Sequence, residues 1–190
     1  KPKDFDPEYN SDIPDGINYV DVLVKDTEGN IVPDAKVTIK RPNYSVFETA
    51  YSNESGEVTL VWQNTDGPLN LSVHKNNFRL YEGILNVGSI QGSAIYVDQT
   101  RTSINDNQDG QLNPGETVEF NLSLLNLGLE DAVNVSANIV SSSDKVYFSN
   151  DTVFINEISA NSSKDVIFTL SLSINAIESE ELDLKIYVSE

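Results

Sequence analysis

The sequence predicts an all-β protein built as two tandem β-sandwiches, and three observations lead to that prediction. Apolar and polar residues alternate along most of the chain, which is the period of a strand with one buried face. Turn-forming clusters such as "DTEGN", "NESG" and "NTDGP" interrupt the alternation at intervals of roughly 8 to 12 residues, the rhythm of sandwich strands. Nowhere do apolar residues recur at helical spacing for long enough to make a stable helix; "SINAIESEELDL" comes closest and is short.

The chain opens at "KPKDFDPEYNSDIPDG", a polar stretch broken by prolines, and residues 1–16 are expected to be a linker cut from something longer. From residue 17 the runs "YVDVLV", "AKVTIK", "GEVTLVW", "LNLSVH" and "YEGILNV" each alternate and give the strands of a first sandwich, residues 17–90. Trp62 shares parity with Val58 and Leu60, which assigns it to the core. The glycines and small residues of "NVGSIQGSA" mark a boundary, and residues 91–190 form a second sandwich. Its strands are "SAIYVDQTRTSI", "ETVEFNLSLLNLG", "DAVNVSANIV", "DKVYF", "DTVFINEI", "KDVIFTLSLS" and "LDLKIYVS". Val118, Phe120, Leu122 and Leu124 fall on one face, with Thr117, Glu119, Asn121 and Ser123 on the other. Both halves have the size of immunoglobulin-like β-sandwiches.

Composition narrows the function. The 190 residues include 30 acidic against 12 basic ones, a formal charge of -18. Phosphate backbones and anionic membrane surfaces are bound by clustered Lys and Arg, and no such cluster exists, so neither nucleic acid nor membrane is an expected partner. The carboxylate excess serves solubility, and it also attracts divalent cations. The chain has no cysteine, hence neither disulfides nor a thiolate nucleophile. No apolar run approaches the roughly 18 to 20 residues of a membrane span. Edge strands could pair chains, but the charge discourages it, and a monomer is expected.

One stretch carries chemistry. "NDNQDGQLNPGE", from Asn105 to Glu116, has the oxygen spacing of a calcium loop, although strands rather than helices flank it. Such a loop supplies oxygens at positions 1, 3, 5, 7, 9 and 12, with glycine at 6 for the sharp turn. These positions are Asn105, Asn107, Asp109, the carbonyl of Gln111, Asn113 and Glu116, with Gly110 at the turn. Asn105 stands where a carboxylate is usual, and Asp106 is placed to substitute for it. With Asp109 and Glu116 as the assured carboxylates, a dissociation constant on the order of 10⁻⁴ M or weaker is expected. Such a site fills only where calcium is millimolar, which points outside the cell. The competing reading is a plain turn rich in Asn, Asp and Gly. A bound ion would be structural, pinning the loop that opens the second sandwich.

A second candidate is a ligand face. "RPNYSVFETAY" places Tyr44, Phe47 and Tyr51 in a polar, turn-flanked run, as a carbohydrate-binding surface would, although an edge hairpin explains it equally well. His74, the sole histidine, has no nucleophile to serve and reads as an exposed strand end. Asn-x-Ser/Thr triplets recur, but alternating strands of Asn, Ser and Thr generate them unaided.

These residues also carry a resemblance. "VDVLVKDTEGNIVPDAKVTIK" followed by "TAYSNESGEVTLVWQNTDGPLNLSVHKNNFRLYEGILNV" resembles the immunoglobulin-like domain that follows the catalytic domain in gingipain-type cysteine peptidases and other secreted bacterial proteins. "VHKNNFRLYEG", similar to "VTKHNY-x-PYEG" in that family, is its most specific piece, and transthyretin-like and cell-adhesion sandwiches share the opening pattern. "INDNQDGQLNPGETVEFNLSLLNLGLEDAVNVSA" resembles the calcium-loop module that accompanies that domain. The resemblance implies a secreted or surface-attached multidomain parent whose catalysis lies elsewhere. The partners it implies are other domains of the same polypeptide. A cell-surface polysaccharide or protein is the alternative.

Overall fold

The structure, a computed structural model, describes residues 1–43, 45–63, 67–106, 112–177 and 182–190. The described residues are all-β, and the chain divides into two compact units, Lys1–Ile90 and Gln91–Glu190.

The first unit contains β1 (Glu8–Tyr9), β2 (Asp12–Pro14), β3 (Tyr19–Leu23), β4 (Lys36–Lys40), β5 (Phe47–Tyr51), β6 (Glu57–Val61), β7 (Leu69–His74) and β8 (Tyr81–Gly88). One sheet runs β1-β3-β6 and the other β2-β8-β7-β4-β5. The alternation seen in the sequence turns one set of residues inward. Val20 and Val22 on β3 and Val58 and Leu60 on β6 are buried, as are Val37 and Ile39 on β4 and Leu69, Leu71 and Val73 on β7. Each such side chain stabilises the fold by about 1.5 to 3 kcal/mol. Trp62 joins this core, as its parity predicts. Gly56 takes a positive φ of 77° at the tight turn before β6, where a Cβ would stand 2.8 Å from the Val24 carbonyl oxygen, so only glycine fits.

Residues 1–16 are not a free linker. β1 pairs antiparallel with β3, and β2 pairs parallel with β8, so this segment adds an edge strand to both sheets. Phe5 and Ile13 are buried, and Phe5 stacks on Phe78 with ring centroids 4.4 Å apart. Lys3 Nζ donates to Asp26 Oδ2 at 2.8 Å, and Arg79 holds both oxygens of Asp4 at 2.9 and 3.0 Å. Two apolar anchors and a set of ion pairs offset the ordering cost that prolines and polar composition had suggested the segment would not meet.

The second unit contains β9 (Ile95–Asn105), β10 (Thr117–Asn126), β11 (Ala132–Ser141), β12 (Val146–Asn150), β13 (Thr152–Ile158), β14 (Ser162–Leu172) and β15 (Leu184–Ser189). Its sheets are β12-β14-β10-β9 and β13-β11-β15. Leu122, Leu124, Val166 and Phe168 from the first sheet meet Val135, Ala137, Ile139 and Ile155 from the second in one core. Three departures from simple alternation shape this unit. Asn134 has a φ of 56°, and two successive residues, Val133 and Asn134, are exposed there, so β11 changes the phase of its buried face. β9 carries extra residues between Asp98 and Ser103 relative to β10, a bulge in which Asp98 Oδ1 accepts from the Thr100 backbone N–H and hydroxyl. That hydroxyl is the largest influence holding the Asp98 carboxyl below its usual range.

The third departure is Asn126, wholly buried at the end of β10. Its Nδ2 donates to the carbonyls of Glu130 and Ile158 at 2.8 and 2.9 Å, and its Oδ1 accepts from the N–H groups of Ala94 and Gly128, both at 3.1 Å. Every hydrogen-bonding capacity of the amide is used. Nearby, a Cβ on Gly128 would come within 2.0 Å of the Gly92 carbonyl oxygen, so the chain crosses itself there at a distance only glycine permits.

Candidate functional site

The stretch from Asn105 to Glu116 connects β9 to β10, two neighbouring antiparallel strands, and is therefore the loop of a hairpin. Asn105 is the last residue of β9 and stands opposite Glu119, to whose Oε2 its Nδ2 donates at 3.0 Å. On the other stem, Glu116 Oε2 accepts from the backbone and side-chain nitrogens of Asn113 at 3.0 and 3.3 Å, closing the turn before β10. The same turn is tied to β14: Gly115 N–H donates to the Leu172 carbonyl and Leu172 N–H to the Glu116 carbonyl, both at 2.9 Å. The pairing thus brings the two ends of the stretch, Asn105 with Asp106 and Glu116, to one hairpin mouth. Asn107, Asp109 and Gln111 lie outside the described residues. Oxygen donors on both stems suit a hard divalent cation, which takes carboxylate and amide oxygens without preference for the flanking structure.

Of the predicted ligand face, Phe47 and Tyr51 lie on β5, an edge strand of the first unit, and are 52% and 64% exposed. They share one side of the strand with Thr49, whose hydroxyl bonds that of Thr38 at 2.9 Å. Lys40 stands opposite Phe47 and Lys36 opposite Tyr51. Tyr44 lies outside the described residues. His74 is exposed at the end of β7.

Two sites of unusual electrostatics sit where the first residues meet the body of their unit. Asp26 is buried, and its carboxylate accepts from Lys3, from the Asn30 side chain, and from the backbone N–H groups of Asn30 and Glu28. The Lys3 bond, with those of Asn30 and Glu28, holds the carboxyl far below its ordinary range. Tyr9 packs edge-on to Tyr81, their hydroxyls 3.1 Å apart, and burial, with that bond, pushes its phenol up to about 12. Sequence reading missed both, because the signal was scattered over residues distant in the chain.

No protein-family model matches the chain, and no curated protein does. Among solved structures it is similar to the BSP domain of a biofilm associated protein, with 14% identity and a TM-score of 0.38, over 97% of this chain and 26% of that one. It is also similar to a calcium-stabilised adhesin that helps an Antarctic bacterium bind ice, with 14% identity and a TM-score of 0.31, over 100% of this chain and 49% of that one. A third is a candidate carbohydrate-binding protein from Bacteroides uniformis, with 10% identity and a TM-score of 0.33, over 100% of both chains. The chain spans about a quarter of the first and half of the second. At TM-scores this low, no role passes from these proteins to this chain.

Proposed function

We propose that the chain is a non-catalytic accessory segment of a larger secreted or cell-surface protein, acting as a spacer, stabiliser or interaction module, with a structural calcium ion in the β9–β10 loop. The observation that supports this reading is the hairpin mouth, where Asn105, Asp106 and Glu116 come from two stems already held in register by β10 and β14. An ion taken by these residues with Asn107, Asp109 and the Gln111 carbonyl would cross-link the stems and stiffen the second unit. The gingipain-type resemblance of the sequence supplies the class of the parent, and its other domains are the partners; the isolated segment is a monomer in this reading.

The test is calcium titration into chelator-treated protein. An ion that binds only the folded state stabilises it by RT ln(1 + [L]/Kd), about 1.4 kcal/mol for millimolar calcium over a Kd of about 0.1 mM. Calorimetric heat and a raised thermal midpoint are expected; silence in both removes the calcium from the reading.

A second reading, a carbohydrate- or surface-ligand-binding module, is favoured by the exposure of Phe47 and Tyr51 on one side of β5. Loss of glycan binding in F47A/Y51A would support it.

A further inference from the structure

We infer that the outer face of β4 and β5 binds an acidic polysaccharide, one whose sugar units carry carboxylates. The inference rests on the second reading above, a ligand surface around Phe47 and Tyr51, and names the class of ligand. Strand register sets the face. Lys36 stands opposite Tyr51 and Lys40 opposite Phe47, so the same pair, one ring and one ammonium on adjacent strands, occurs twice. Directly opposed residues of an antiparallel pair keep their side chains on one side of the sheet, with Cβ atoms about 4.5 to 5.5 Å apart. That side is the outer one, because Val37 and Ile39, of the other parity on β4, are buried. The two pairs are four residues apart, about 14 Å along the strands. Thr38 and Thr49, whose hydroxyls bond each other at 2.9 Å, fill the row between them without charge.

A repeated pair suits a repeated ligand. Each pair offers a ring for the C–H side of a sugar and an ammonium for its carboxylate. Lys36 and Lys40 form no ion pair among the described residues, so neither ammonium has to be released before a ligand binds.

Charge selects the ligand. In a chain with 30 acidic and 12 basic residues, carboxylates border these two pairs instead of lying between them. Glu82 shares the outer face but stands on β8 opposite Ser72, with β7 between it and β4. Glu48 stands opposite buried Ile39 and has the parity of the reverse side of β5. Asp34 comes two residues before Lys36, whereas Arg41 and Lys75 follow directly on Lys40 and His74. Exposed charges farther away than about 8 Å are largely screened at physiological ionic strength, so the two lysines outweigh the total charge of the chain here.

An acidic peptide suits the face less well. An extended peptide would add to the outer edge of β5, the last strand of its sheet. Its side chains would then stand two strands, about 9.6 Å, from the lysines of β4. A polysaccharide lying across the face reaches rings and ammonium groups together.

Surface plasmon resonance of the full chain over immobilised polygalacturonate tests the inference, with dextran and galactomannan as neutral polymers and polyglutamate as the acidic peptide. A chelator is present throughout, because polyuronates themselves take up calcium. Binding to polygalacturonate is expected, weakened about tenfold or more by K36Q/K40Q, as loss of two exposed ion pairs requires, and also by F47A/Y51A. K1Q/K164Q removes the same charge from two exposed lysines elsewhere and is expected to bind within about twofold of the parent chain. Binding of dextran or galactomannan that F47A/Y51A removes and K36Q/K40Q does not would overturn the inference and leave the ligand surface standing. Absence of binding to all four polymers overturns both. Polyglutamate bound as tightly as polygalacturonate, or equal losses in K36Q/K40Q and K1Q/K164Q, would leave charge alone as the cause and overturn the inference as well.

Discussion

Replacing Asn126 with alanine should cost the second unit much of its stability. The side chain satisfies four backbone groups at once, and alanine satisfies none of them. Two of those partners, the Ile158 carbonyl and the Gly128 N–H, take part in buried bonds. Orphaning each costs about 1 to 3 kcal/mol. The other two, the Glu130 carbonyl and the Ala94 N–H, are in part-buried bonds, where water can replace the lost partner at about 0.5 to 1 kcal/mol each. Costs in one network do not add fully, so the expected total is about 4 kcal/mol. For a unit of this size each kcal/mol shifts the midpoint by about 4 to 8 °C, so the transition should fall by roughly 15 to 30 °C. Urea unfolding followed by far-UV circular dichroism measures this. Trp62 emission, which originates in the other unit, reports separately on the first. Asn126→Asp should be at least as damaging, because it turns a carboxyl oxygen toward two carbonyls. If Asn126→Ala loses less than about 1 kcal/mol, or Asn126→Asp is tolerated, the amide does not hold this junction together.

Glu116→Gln should remove the calcium-dependent rise in thermal midpoint while leaving the midpoint in chelator close to that of the parent chain; an unchanged calcium response would show that Glu116 is not a ligand. The depressed Asp26 carboxyl stabilises the fold above its unfolded value near 3.8, and this contribution is lost as pH falls from there through the folded value. Asp26→Asn should therefore flatten the stability profile below about pH 4, measured by urea midpoints at successive pH values. Tyr9 behaves in the opposite sense. With its folded value raised to about 12 from 10.0, its contribution is complete below pH 10 and lost between those values as pH rises. Ultraviolet titration should show Tyr9 ionising late, and Tyr81→Phe should bring that step to lower pH.

Most of the strands, and the direction each faces, were legible in the sequence because one buried face imposes a period of two. Val118, Phe120, Leu122 and Leu124 turn toward the core side as their parity requires. Ser123, on the opposite parity, is buried as well, because the β9 bulge beside it is invisible to periodicity. Residues 1–16 escaped for a related reason. β1 and β2 have two and three residues, too few to display alternation, and their stability comes from Phe5, Ile13 and ion pairs to residues far along the chain. The phase change at Asn134 depends on a positive φ that Asn tolerates but does not announce. At the candidate site the stems were legible from residue spacing, whereas their bonds to Glu119 and β14 depend on pairing partners that a one-dimensional pattern does not contain.

The parallel pairing of β2 with β8 has a mechanical consequence. Asp12, Ile13 and Pro14 lie beside Asn86, Val87 and Gly88, and the Asn86 N–H donates to the Ser11 carbonyl at 2.7 Å. Tension drawn from residue 1 toward residue 90 pulls these strands in opposite directions along their length. The bonds must then slide and break together instead of opening singly like a zip. Rupture under load is governed by the unfolding rate, so this seam would set how long the first unit resists a tug at its ends.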